Sequence, residues 1–167
     1  MRLWTLAAVA PLAACASTSG SLPTPAGGHP ERDPALNAVA WIQTAAEYEA
    51  AAEQAYAAAE HALARSLADA SWTAALEQPP GHAPLPPAVI LDVDETVLDN
   101  SPYVVRRILD GESFREESWG RWVREAVADA VPGALDRARA AAHAGAIVFY
   151  VTNRDAPLEE ATRRNLE

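Results

Sequence analysis

Residues 88–100 read Ala88-Val-Ile-Leu-Asp92-Val-Asp94-Glu95-Thr96-Val-Leu-Asp99-Asn100, and the fold is decided there. Four consecutive apolar residues, Ala88 to Leu91, suit a strand buried on both faces, as in a parallel sheet. The run stops abruptly at two aspartates with one residue between them. Carboxylates just past the C-terminal end of such a strand stand where open α/β sheets build their sites. Residues i and i+2 of extended chain share a face, so Asp92 and Asp94 can address one locus. Two acids this close repel each other unless a cation or a proton intervenes. A hard divalent cation with oxygen ligands, Mg²⁺ above all, resolves the conflict.

Toward the C-terminus the pattern recurs. Ala146-Ile-Val-Phe-Tyr-Val151 reads as a second buried strand and ends in Thr152-Asn153-Arg154. Between the two strands, residues 100–131 carry short aromatic-bearing segments with Gly111 as a turn, which predicts a small helical cap. Pro132-Gly133 then precedes a helix from Ala134 to His143, stopped by Gly145. Asp155 is the expected cap of a final helix. Strand, helix, strand, helix with continuous apolar strands predicts an α/β fold with a Rossmann-like parallel sheet. Toward the N-terminus, Asp33-Pro34 starts a long helix running to about Ala70 without internal Pro or Gly. Its apolar stripe is Trp41, Ala45, Tyr48, Ala52, Ala59, Leu63 and Leu67. A Pro-rich connection, 78–87, joins this helix to the first strand.

The N-terminus reads as an export signal over residues 1–14. Arg2 is its one charge, and the apolar run Thr5 to Ala14 is too short to span a bilayer. Leu12-Ala13-Ala14-Cys15 has the pattern of a bacterial lipobox, with Cys15 as the lipid acceptor. Cys15 is also the sole cysteine, so no intramolecular disulfide exists. Residues 15–33, rich in Ser, Thr, Gly and Pro, make a flexible tether, and 34–167 has the length of one domain. The chain is therefore expected to be exported and held to a membrane, with Ala16 favouring the outer membrane of a Gram-negative bacterium. Acidic residues outnumber basic ones by 23 to 13, which argues against a nucleic-acid polymer as partner. All 13 basic residues are arginine.

Asp92-Val-Asp-Glu-Thr after a hydrophobic strand resembles the first motif of the haloacid dehalogenase (HAD) superfamily. Several further blocks resemble the class C (subfamily IIIB) acid phosphatases, bacterial lipoproteins of the lipoprotein e 5′-nucleotidase family. They are Asp92 to Tyr103, Ser118-Trp-Gly-Arg-Trp-Val123, Val131-Pro-Gly-Ala134, Phe149-Tyr-Val-Thr-Asn-Arg154, and Trp41 to Tyr48 on the first helix. The resemblance implies that Asp92 attacks phosphorus and becomes an aspartyl-phosphate, and that Asp94 protonates the leaving group and then deprotonates water. It implies Mg²⁺ on an oxygen of Asp92 and the main-chain carbonyl of Asp94, with Thr96 and Asn100 supporting the loop. Thr152, Asn153 and Arg154 would bind the phosphate of a small phosphomonoester. Trp119 would stack on its base or ring, while Trp122 fills the cap. Glu95 and Asp99 are read as structural.

The family pattern also includes a lysine or arginine bridging Asp92 and phosphate, and an acidic cluster on a later strand. This chain has no lysine and no such cluster after Thr152. The expectation is the N-terminal part of a longer enzyme, or a truncated product, with an incomplete core and little activity alone. Its sheet edge would invite association, including with a second copy. The alternative is a non-catalytic lipoprotein that binds a phosphorylated ligand or a partner. A structural lipoprotein built around the Ala-rich helix would leave Asp92 and Asp94 without purpose.

Overall fold

The computed structural model describes residues 30–75 and 77–167. The export signal, the lipid-acceptor Cys15 and the tether through residue 29 lie outside the described residues. After a short 3₁₀ turn, Pro30–Arg32, come α1 (Leu36–Thr44) and α2 (Ala46–Leu67). The predicted strand follows as β1 (Ala88–Asp92), then β2 (Leu98–Asp99), α3 (Ser101–Leu109) and α4 (Glu116–Glu125). The chain continues through β3 (Asp129–Ala130), α5 (Ala134–His143), β4 (Ile147–Val151) and α6 (Glu159–Leu166). No described helix is long and apolar enough to cross a membrane.

β1 and β4 pair in parallel, with Ala88 opposite Ile147 and Asp92 opposite Val151. This is the predicted α/β arrangement, and its register brings the two strand ends level. The strands are not buried on both faces as their composition suggests. Ile90 is 71% exposed and Phe149 50%. Among the described residues the sheet has only these two strands, and helices cover one face. Val89 and Leu91 turn toward α2 and α5, where the many alanines are too small to close the gap. A cavity of about 190 Å³ lies between them, lined also by Leu63, Leu67, Ala138 and Ala141. The Arg137–Glu60 ion pair ties α5 to α2 at its margin.

The predicted single N-terminal helix is two helices. Ala45 is extended (φ −91°, ψ 123°), and α2 starts afresh after it. No Pro or Gly marks the break. Thr44 turns its hydroxyl back onto the Ala40 carbonyl at 2.6 Å, a contact that bends helices. The bend lets Tyr48 meet Trp41 edge-on at 5.2 Å. Nor does Pro34 open α1. Asp33 instead accepts the Ala35 amide at 2.8 Å in a preceding turn and pairs with Arg107 of α3 at 3.1 Å. At the other end, Asp155 receives Leu158 N–H on its main-chain carbonyl, and a 3₁₀ turn, Ala156–Leu158, precedes α6. The side chain of Asp155 caps nothing.

The region expected to be a helical cap holds α3 and α4 and also one edge of an antiparallel ribbon. In that ribbon Leu98 faces Ala130 and Asp99 faces Asp129. Strands of two residues leave no periodic signal in sequence. The main core lies here rather than under the sheet. Val93, Val97, Leu98, Tyr103, Trp122, Val123, Ala128, Leu158 and Ala161 form one buried cluster. It joins the loop after β1 to α3, α4 and α6.

Gly133 (φ +84°) and Gly145 (φ +89°) bracket α5 in the left-handed region that glycine alone enters freely. A Cβ at Gly133 would meet Tyr56 of α2 at 3.3 Å, while one at Gly145 would meet nothing within 4 Å. Alanine at either position should lower stability by about 1 kcal/mol through backbone strain. Gly133→Ala should cost the more, because it also pushes against α2. Urea-unfolding midpoints compare the two directly; equal losses would mean that α2 yields freely at Tyr56.

Candidate active site

Val93, 0% exposed, pins the chain just past β1 into the core. Its two neighbours, Asp92 and Asp94, are thereby turned the other way. The chain then curls tightly: Val97 and Leu98 both donate their amides to the Val93 carbonyl at 2.9 Å. Glu95 donates its amide to Leu98 O, also at 2.9 Å, from a left-handed backbone (φ +56°). A side chain in that region is strained, and the Glu95 carboxylate offsets part of the cost by accepting Asn100 N–H at 3.0 Å. Tyr56 of α2 donates its hydroxyl to the Thr96 carbonyl, clamping the loop from the opposite side.

The two aspartates have unlike surroundings. Asp92 is exposed, and among the described residues nothing hydrogen-bonds its carboxylate. Asp94 is enclosed by donors. Its Oδ1 accepts Arg154 Nη2 at 2.6 Å, Asn100 Nδ2 at 2.8 Å and Arg154 Nε at 3.1 Å. Its Oδ2 has only two longer contacts, Arg154 Nε at 3.2 Å and Thr152 Oγ1 at 3.4 Å. The Arg154 side chain is 2% exposed and that of Asp94 18%.

Thr152 follows directly on Val151, the β4 partner of Asp92, so the parallel register delivers its hydroxyl to the same rim. Thr152 Oγ1 also accepts Arg154 N–H at 3.1 Å. The Arg154 guanidinium, expected to add charge for phosphate, is turned onto Asp94 and onto Thr162 of α6, at 3.1 Å. Trp119 of α4 lies 5.3 Å from that guanidinium and 5.3 Å, edge-on, from Tyr103. Asn153 is exposed at the strand end. Of the residues read from sequence, Asp92, Asp94, Thr152, Arg154 and Trp119 thus converge.

Asn100 has a larger part than loop support. It is 2% exposed, and besides Asp94 it meets the Trp122 indole, whose Nε1–H it accepts at 2.8 Å. Nothing in sequence joins positions 94, 100, 122 and 154; only the packing of α4 against the loop does.

Withdrawal of the Glu95 carboxyl from solvent raises its pKa above the ordinary value of 4.5, although the residue as a whole is exposed. The Asn100 hydrogen bonds act the other way, and the nearby charges of Asp94 and Asp99 add to the rise. Among the described residues no group of three or more His, Cys, Asp or Glu forms a metal-binding cluster. Oxygen donors are nevertheless present at the rim. The Asp92 carboxylate is one. The Asp94 main-chain carbonyl is the other, because the adjacent amides of Glu95 and Leu98 bond elsewhere.

The family model for "HAD superfamily, subfamily IIIB (Acid phosphatase)" matches residues 28–167. Two crystal structures of the class C acid phosphatase from Bacillus anthracis, one with tungstate bound, superpose with a TM-score of 0.68 at 33% sequence identity. Each alignment covers 78% of this chain and 50% of the other, so the chain spans about half the length of these solved structures.

The raised Glu95 carboxyl has a consequence for stability. The folded state holds this proton more tightly than the unfolded chain does, so the contribution is present below the ordinary pKa. It is lost as pH rises through the folded value. Glu95→Gln keeps an oxygen for Asn100 N–H and cannot titrate. Its stability relative to the parent should therefore improve as pH rises above the ordinary carboxyl value of 4.5. Urea melts on both sides of that value check it; a pH-independent difference would overturn the assignment.

Proposed function

This chain belongs to the acid phosphatases of HAD superfamily subfamily IIIB, and on that premise we propose that it carries the phosphoryl-accepting part of a lipid-anchored phosphomonoester hydrolase. Its substrates are small phosphomonoesters such as nucleoside 5′-monophosphates. The reading rests above all on one contrast: Asp92 stands open at the rim while Asp94, beside it, is locked among donors. A nucleophile must reach its target unencumbered, whereas an acid must be held in one place.

In the first step an Asp92 oxygen bonds to phosphorus as the ester P–O bond breaks, and Asp94 gives its proton to the departing oxygen. In the second step Asp94 takes a proton from water as the water oxygen bonds to phosphorus. The bond from phosphorus to Asp92 then breaks, releasing inorganic phosphate. The Thr152 hydroxyl and the amides that follow it line the phosphate position at the end of β4. Trp119 offers an aromatic edge for a base or ring, with its far side occupied by Arg154. The positive charge of Arg154 acts through Asp94, because its donors are committed there.

Family membership implies a divalent metal, and the residues suit Mg²⁺. The Asp92 carboxylate and the Asp94 carbonyl would hold it, in keeping with an ion that keeps several waters and takes few protein oxygens. Once bound it would neutralise charge between carboxylate and phosphate. Export and anchorage rest on Leu12-Ala-Ala-Cys15. The open sheet face at Ile90 and Phe149 supports association with a second copy.

Hydrolysis of p-nitrophenyl phosphate with Mg²⁺ by the full-length protein tests the reading. Asp92→Asn should abolish turnover. Asp94→Asn should lower kcat/KM, which reports the step that expels the alcohol, by about 10²–10⁴ on alkyl phosphates. The loss should be far less on p-nitrophenyl phosphate, whose leaving group needs little protonation; kcat, which includes the water step, should fall on both. Ligand binding without turnover, or activity retained by Asp92→Asn, would overturn it.

A further inference from the structure

We infer that Trp122, a buried cap residue remote from the phosphate position, is a positioning residue. It fixes which end of the Asn100 amide faces Asp94 and so holds the acid in its working orientation. The inference rests on the assignment of Asp94 as the proton donor.

The argument is one of donor and acceptor inventory. An asparagine amide has an accepting end and a donating end, nearly identical in shape, and its orientation follows from its partners. On one side Asn100 meets the Trp122 indole N–H at 2.8 Å and Arg154 Nη2 at 3.5 Å, both of which only donate. That side must therefore be oxygen, and the NH₂ must face Asp94, 2.8 Å away. The indole contact is the short one and is wholly buried, so it holds the amide most firmly. Were the amide to turn over, its oxygen would face the Asp94 carboxylate and repel it.

Asn100, so oriented, completes the set of donors on Asp94 Oδ1. Three bonds of 2.6–3.1 Å fall on that oxygen, while the contacts to Oδ2 are 3.2 and 3.4 Å. Oδ2 is consequently the oxygen with capacity to carry and transfer a proton. Through the amide, the packing of α4 reaches the chemistry: Trp122 is 3% exposed and belongs to the same cluster as Val93, Val97 and Leu98. A residue that merely filled the cap would serve equally well as phenylalanine.

The test compares two substrates that differ in their need for an acid, p-nitrophenyl phosphate and an alkyl phosphate such as glycerol phosphate. Trp122→Phe removes the indole donor and keeps an aromatic ring. In the full-length enzyme it should lower kcat/KM, which reports the step that expels the alcohol, about tenfold for the alkyl ester and less than about twofold for the nitrophenyl ester. Asn100→Ala tests the same link with Trp122 in place. It deletes the donor to Asp94 without adding a charge beside it, and should give the same selective loss. Equal losses on both esters, or none on either, would overturn the inference and leave the phosphatase reading standing. A parent enzyme that hydrolyses neither ester would sink both together.

Discussion

A guanidinium with almost no access to water grips one carboxylate through two of its nitrogens, and the rest of the site is arranged around that grip. Arg154 and Asp94 lie far apart in sequence, one after β4 and the other after β1, yet their bond holds the two strand ends together. Burying such a pair is costly unless each remaining donor and acceptor is satisfied. Here Asn100 and Thr152 supply the carboxylate, Thr162 takes another guanidinium nitrogen, and Trp119 covers its face. Each of these partners lowers the cost of holding the pair where water has little access. The pair therefore recruits α4 and α6 as well as the two strands.

The same arrangement gives two chemically identical side chains unlike surroundings. Asp92 ends a regular strand and faces open space; Asp94 follows the buried Val93 and is turned into the donors. Alternation along extended chain sends both away from the buried Val93, and the difference lies in the donors, since Asn100, Thr152 and Arg154 reach Asp94. The left-handed Glu95 then reverses the backbone before a second carboxylate face can form. Glu95 thus fits its reading as a structural residue, held by Asn100 from behind.

Much of this was legible in the residues. The paired aspartates, the two apolar strands, the glycine stop of α5 and Thr152 at the second strand end all rest on local rules, and each lies where those rules put it. Four features were not legible. The break at Ala45 has no glycine or proline and arises where Trp41 meets Tyr48. The β2–β3 ribbon is too short to have a period. The direction of Arg154 could have been toward phosphate or toward Asp94, and only the position of Thr162 and Trp119 decides it. The exposure of Ile90 and Phe149 follows from how few strands lie beside them, which no strand declares in its own composition.

The location of the core has a dynamic consequence. In most α/β domains the central strands are the last part to open, and loops above them fray first. Here the loop carrying Asp94 to Leu98 is sealed by the buried cluster, while β1 and β4 have one covered face and a cavity beneath it. Local opening should run in reverse order, from the ladder inward, with the rim loop keeping its amide protons longest. A molecule built this way keeps the rim of its sheet rigid even while the scaffold beneath it breathes.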